Sequence, residues 1–157
     1  MQFDVKRFVV AALLTLAFAS CAPAPAPAPA PTPANGPFLI LSEAYAARDA
    51  AAAARAYTEG GVVIYAYEGV PEERFEGRAA IEGSFQRFFD QFPANQALDL
   101  SFRFARQSAD AANGIYQLRV GDTDYYGSFD VTIEEGLFAR DVSSDGTMAA
   151  FEALPAP

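Results

Sequence analysis

Residues 77–92, GRAAIEGSFQRFFDQF, decide how the chain is read. Ile81, Phe85, Phe88, Phe89 and Phe92 recur at i, i+4, i+7, i+8 and i+11, one continuous apolar stripe on a helix over 78–92. Pro93 stops it. A stripe holding four phenylalanines needs an apolar surface to cover, and the sequence downstream supplies one. Leu98, Leu100, Phe102 and Phe104 alternate with Asp99, Ser101 and Arg103; Tyr116, Leu118 and Val120 alternate with Gln117 and Arg119. Gly121-Asp122 turns the chain into Tyr125, Phe129, Val131 and Ile133, interleaved with Ser128, Asp130 and Thr132. Period-two alternation predicts strands with one buried and one wet face.

Upstream, the alanine-rich run from 38 to 57 reads as helix, with Asp49 placed to cap a second piece and Gly60-Gly61 to end it. VVIYAY (62–67) has the β-branched and aromatic content of a strand, and EGVPEERFEG (68–77) reads as loop. Ser143-Ser144-Asp145-Gly146 reads as a last hairpin turn between two strands, LFARDV and TMAAFEAL. Helices first and strands afterwards predict an α+β domain with the helices packed on an antiparallel sheet.

The chain has 157 residues, net charge −9, no histidine, no tryptophan and one cysteine. The absence of histidine excludes Ser-His-Asp and Cys-His catalysis and imidazole metal ligands. The charge excludes nucleic acid as an expected partner, since phosphate affinity comes from excess Lys and Arg. Phe8–Ser20 is an apolar run of 13 residues behind Lys6-Arg7, too short to span a bilayer, which takes about 20. With Ala19-Ser20 leading into Cys21, residues 1–20 resemble a bacterial lipoprotein signal peptide, which implies acylation of Cys21 and membrane attachment through it. Ala22 in place of aspartate implies the outer membrane, facing the periplasm. Residues 21–37 then form an Ala-Pro spacer, where regular proline forbids helix and sheet and favours an extended rod. The 120 residues of 38–157 make one domain with nine arginines, nineteen carboxylates and no lysine.

Three segments in order, YTEGGVVIYAY, FEGRAAIEGSFQRFF and strand–SSDGT–strand, resemble the nuclear transport factor two-like superfamily, with its SnoaL-like and ketosteroid-isomerase-like members. Gly77-Arg78-Ala79-Ala80-Ile81 is the most specific piece. The resemblance implies a cystatin-like cone: a curved antiparallel sheet wrapped around N-terminal helices, a pocket at the open end and dimerisation through the outer sheet face.

The superfamily's isomerase chemistry needs a carboxylate base near the end of the first strand, a tyrosine and a protonated acid. Carried over by position, the base falls on Tyr65, the tyrosine near Leu41 and the acid on Gly136 beside Glu135. A phenol is a poor base at neutral pH. The resemblance therefore implies no catalytic residue, and neither cofactor nor metal is expected. Glu68, Glu72, Glu73 and Glu76 match no calcium-loop spacing, Asp122-Thr123-Asp124 reads as a polar turn, and the phenylalanine stripe reads as core. Tyr65, Tyr67, Phe102, Tyr116 and Tyr125 are the candidate pocket residues, the last three by alternation and the first two on a strand that is apolar on both parities; together they make an aromatic lining with polar handles suited to a small apolar, neutral or cationic ligand. Two readings follow: a non-catalytic binding or interaction module, or a SnoaL-like enzyme on a small apolar substrate. A carboxylate buried in the cone, with Glu134, Glu135 and Asp130 as candidates, distinguishes them.

Overall fold

The computed structural model describes residues 35–156; the leader, Cys21 and most of the spacer lie outside them. The first helix, α1 (Gly36–Ala47), carries Pro37 in its first turn, where a missing N–H is tolerated. It thereby takes in two residues that the sequence reading left in the spacer. Arg48 ends it with left-handed backbone, φ 54°. Asp49 caps α2 (Ala50–Ala54) as expected, its carboxylate accepting the Ala52 N–H at 2.8 Å.

Gly60-Gly61 does not terminate a helix. Both glycines lie inside β1 (Tyr57–Ala66). They sit where its register with β6 (Leu137–Asp145) shifts between Tyr57 and Val62, and a Cβ on Gly61 would stand 3.1 Å from the Thr58 carbonyl and 3.2 Å from that of Phe138. The predicted loop also hides a strand, β2 (Glu73–Glu76), antiparallel to Val62–Tyr65. Four residues of mostly charged sequence carry no apolar period, and such composition suits an edge strand.

The helix α3 (Arg78–Phe89) forms as predicted but stops before Phe92. Arg48 closes off its end: the guanidinium donates to the carbonyl of Phe89 at 3.3 Å, one of the last-turn groups a helix leaves without partners, and holds the turn that follows through the carbonyls of Phe92 at 3.0 Å, Pro93 at 2.8 Å and Gln96. The alternating segments form β3 (Leu98–Gln107), β4 (Ala111–Val120) and β5 (Thr123–Glu134), with Gly121-Asp122 the expected two-residue turn. Glu135-Gly136, both at positive φ, turns β5 into β6. The expected last hairpin is absent. Thr147 instead caps α4 (Met148–Glu152), its hydroxyl accepting the Ala150 N–H at 3.1 Å, and the alanine-rich stretch behind it favours helix over strand.

The sheet runs β2-β1-β6-β5-β4-β3. Every neighbouring pair is antiparallel except β1 and β6, which are parallel. Register shifts in β1, β3 and β6 bend it. Helices α1–α3 fill the concave face, where Phe38, Leu41, Ile81, Phe85 and Phe89 are buried with Leu98, Leu100, Val120, Phe129 and Val131. The stripe is thus core at Ile81, Phe85 and Phe89, while Phe88 and Phe92 are half-buried. On the outer face α4 sets Phe151 under the Arg103 guanidinium, 4.3 Å from the ring centre, and 5.6 Å from the Tyr126 ring.

Candidate functional site

Phenylalanine closes one end of the cone and tyrosine holds the other open. At the closed end the Phe38 ring meets those of Phe102, Phe104, Phe129 and Phe138 at 4.8–5.3 Å, mostly edge to face, the geometry aromatic quadrupoles prefer. At the open end a cavity of about 470 Å³ lies between α1, α3, β1, β2 and β4. Tyr45, Tyr65, Tyr67 and Tyr116 form its inner end, Phe75, Phe88 and Leu118 its sides, and Val70, Pro71, Glu73, Ser84, Arg87 and Gln91 complete the lining. Behind the four tyrosines is a chamber of about 50 Å³, reached by the same four rings and lined also by Tyr57, Asp141 and Ser143. The tyrosines form a collar between a vestibule and a chamber.

Each collar ring has a local reason for its place. Tyr65, in β1, and Tyr67, directly after its end, continue the inward parity of the fully buried Val63, and their rings stack at 6.2 Å with 14° between planes. Tyr116 lies across Gly127, its partner on β5; a Cβ there would collide with the phenol. Its hydroxyl meets that of Tyr67 at 2.8 Å. Tyr45, on α1, packs against Phe85, Phe88 and Phe89 of α3.

The chamber holds a buried carboxylate that alternation does not reveal. Phe138 points inward, so strict period two would send Val142 inward and Asp141 out. Between Ile133–Phe138 and Thr132–Arg140 the register shifts, leaving Ala139 as an extra residue. That bulge reverses the parity and turns Asp141 and Ser143 into the cone. Asp141 accepts the Tyr57 hydroxyl at 2.7 Å, and the Ser143 hydroxyl stands 3.5 Å from its other oxygen. Burial raises the Asp141 carboxyl to about 6, against the lowering effect of those hydroxyls. Burial likewise raises the phenols of Tyr45, Tyr57, Tyr65, Tyr67 and Tyr116, and the Asp141 charge adds to the rise at each. They therefore stay neutral hydrogen-bond donors.

Of the five candidate pocket residues, Tyr65, Tyr67 and Tyr116 come together in the collar. Phe102 lies deeper, against Phe38, and lines the chamber but not the vestibule. Tyr125 does not join the site. It has the inward parity, opposite Leu118, but β5 loses β6 beyond the Gly127–Asp145 pair, and Tyr125 is left 52% exposed. The carboxylates proposed for catalysis are outside the cone: Asp130 and Glu134 are exposed, and Glu135 sits in the β5–β6 turn. The reading also missed Tyr45, Tyr57, Asp141 and the cavity-lining role of Phe88. Only Tyr45 left a signal, an aromatic residue in an alanine-rich helix.

No family model and no curated protein matches the chain. Many solved structures do. A computationally designed 17-OHP binder superposes with TM-score 0.55 at 16% identity, over 77% of this chain and 95% of its own. An NTF-2 like protein of unknown function from Shewanella oneidensis MR-1 gives 0.55 at 17%, over 69% and 93%. A domain of unknown function with a cystatin-like fold from Nostoc punctiforme PCC 73102 gives 0.52 at 18%, over 71% and 74%. At these identities the likeness is one of fold: the chain has the α+β architecture of nuclear transport factor two-like and cystatin-like proteins.

Proposed function

We propose that this domain is a binding module for a small, largely apolar molecule, without catalysis of its own, held at the bacterial cell envelope by a lipid on Cys21. The observation that carries the binding reading is the collared vestibule. About 470 Å³ falls within the 300–1,000 Å³ range of small-molecule sites. Its walls are aromatic, with phenol donors at the inner end. The designed 17-OHP binder shares the fold, which supports the view that such a cone accommodates an apolar guest. The short apolar run ending at the lone cysteine supports the anchor. Titration with the neutral probe N-phenyl-1-naphthylamine tests the pocket: saturable fluorescence enhancement, weakened several-fold by Tyr116→Ala, is expected. Absence of saturable binding overturns the reading. For the anchor, labelled palmitate should enter the wild-type chain and not Cys21→Ser; an unlabelled wild type refutes it.

A second reading, an enzyme on a small apolar substrate, is favoured by Asp141, a buried carboxyl raised to about 6 and hence suited to proton transfer. The chamber volume weighs against it. About 50 Å³ holds a water or two, not a substrate, and a ligand in the vestibule meets the collar before the carboxylate. Turnover of an apolar ketone or epoxide abolished by Asp141→Asn would establish the enzyme instead.

A further inference from the structure

The inner end of the cavity has an electrostatic character that its apolar walls conceal. Asp141 is 7% exposed. Its hydrogen-bonding neighbours are two neutral hydroxyls, from Tyr57 on β1 and Ser143 on β6. None of the ion pairs among the described residues includes it. Arg140, next in sequence, and Asp130 are exposed and act on it only as opposing charges at a distance. The other titratable groups facing it are the collar phenols, Tyr45 of α1, Tyr65 of β1, Tyr67 just beyond β1 and Tyr116 of β4, all neutral. A buried carboxylate thus lacks a counterion among the described residues, and the four tyrosine rings that line its chamber also line the vestibule.

From this arrangement we infer that the vestibule selects an organic cation, a substituted ammonium whose charged head seats against the tyrosine collar facing Asp141. This rests on the binding reading above and names the ligand class. A cation is attracted to the negative faces of aromatic rings, most strongly when desolvated, and the same head satisfies the carboxylate across a low-dielectric gap. Alkyl substituents on nitrogen match the walls of Phe75, Phe88 and Leu118. A hydrated metal ion does not, because these three side chains are apolar and, among the described residues, no three His, Cys, Asp or Glu side chains gather to hold one. An anion is disfavoured at the inner end by Asp141. Arg87, the cation in the lining, belongs to the vestibule and not the chamber, with its guanidinium 5.1 Å from the centre of the Phe75 ring.

The test is a pair of probes equal in shape and different in charge, choline and 3,3-dimethyl-1-butanol, titrated into the protein by calorimetry. Choline is expected to bind at least tenfold more tightly. Lowering the pH from 8 to 5 should weaken choline and leave the alcohol unchanged, because Asp141 then takes up a proton. Asp141→Asn should erase the preference with its melting cooperative. If that variant fails to fold, Tyr65→Leu, which removes one π face, should weaken choline more than the alcohol. Equal binding of the two probes to the wild type overturns the cation inference and leaves the pocket reading standing. So does binding of the naphthylamine probe with neither of this pair. Failure of all three overturns both.

Discussion

The two ends of the cone are built from the same kind of residue with opposite results. Around Phe38, rings without polar atoms interlock and leave little space. Around Tyr116, rings of nearly the same size leave about 470 Å³ open. The difference lies in the hydroxyls. A buried phenol needs a partner, so Tyr67 and Tyr116 turn to each other and Tyr57 turns to Asp141, orientations that serve hydrogen bonding before close packing. Aromatic content alone therefore does not distinguish a core from a pocket; the placement of oxygen does.

The sharpest break of this contrast is truncation at the closed end. Phe38→Ala should cost about 3–5 kcal/mol in chemical denaturation, the usual loss for a buried phenylalanine, and Phe85→Ala should cost as much. Phe88→Ala, in the cavity wall, should cost less than half that and alter probe binding. Equal losses at Phe85 and Phe88 would mean that the open end is packed like the closed one.

Next in size is a pH effect confined to the open end. The carboxyl of Asp141 is raised in the folded state, so between its unfolded value near 4 and about 6 the native protein binds more protons than the unfolded chain. Stability should fall as pH rises through this window and level off above it, with a loss attributable to Asp141 of roughly 3 kcal/mol. Asp141→Asn should flatten the slope and stabilise the protein at pH 8. A slope unchanged in the variant would place the titration elsewhere.

Gly127→Ala should follow, at about 1–3 kcal/mol, the range for overpacking, because the added methyl occupies the place of the Tyr116 phenol. Combined with Tyr116→Ala, the loss should be less than additive; additivity would show that the two do not touch in solution. Smallest is Tyr67→Phe, which removes one hydrogen bond and should cost about 1 kcal/mol. A loss as large as that at Phe38 would make the collar a core element.

Much of the scaffold was legible residue by residue. The stripe at Ile81, Phe85 and Phe89, the Asp49 cap, the alternation in β3–β5 and the Gly121-Asp122 turn are local patterns with local causes. Three of the five proposed pocket residues, Tyr65, Tyr67 and Tyr116, meet in one collar; alternation points Tyr116 inward, whereas VVIYAY is apolar on both parities and its inward side is set by the core it meets. Misreadings arose where a neighbour from elsewhere decides. The four residues of β2 become a strand because β1 offers a free edge, and the glycine pair joins β1 because β6 lies beside it. Tyr125 is left exposed because β6 ends before reaching it.

The sequence by itself determined the α+β order, the apolar faces of its helices and strands, and the exclusion of histidine chemistry, since each depends on residue type and spacing along one element. Only the tertiary structure decided what stands at the bottom of the pocket. Asp141 faces the collar through one extra residue, Ala139, inserted in β6 opposite β5, and the register between two strands is set by how both meet the core rather than by either strand's own pattern.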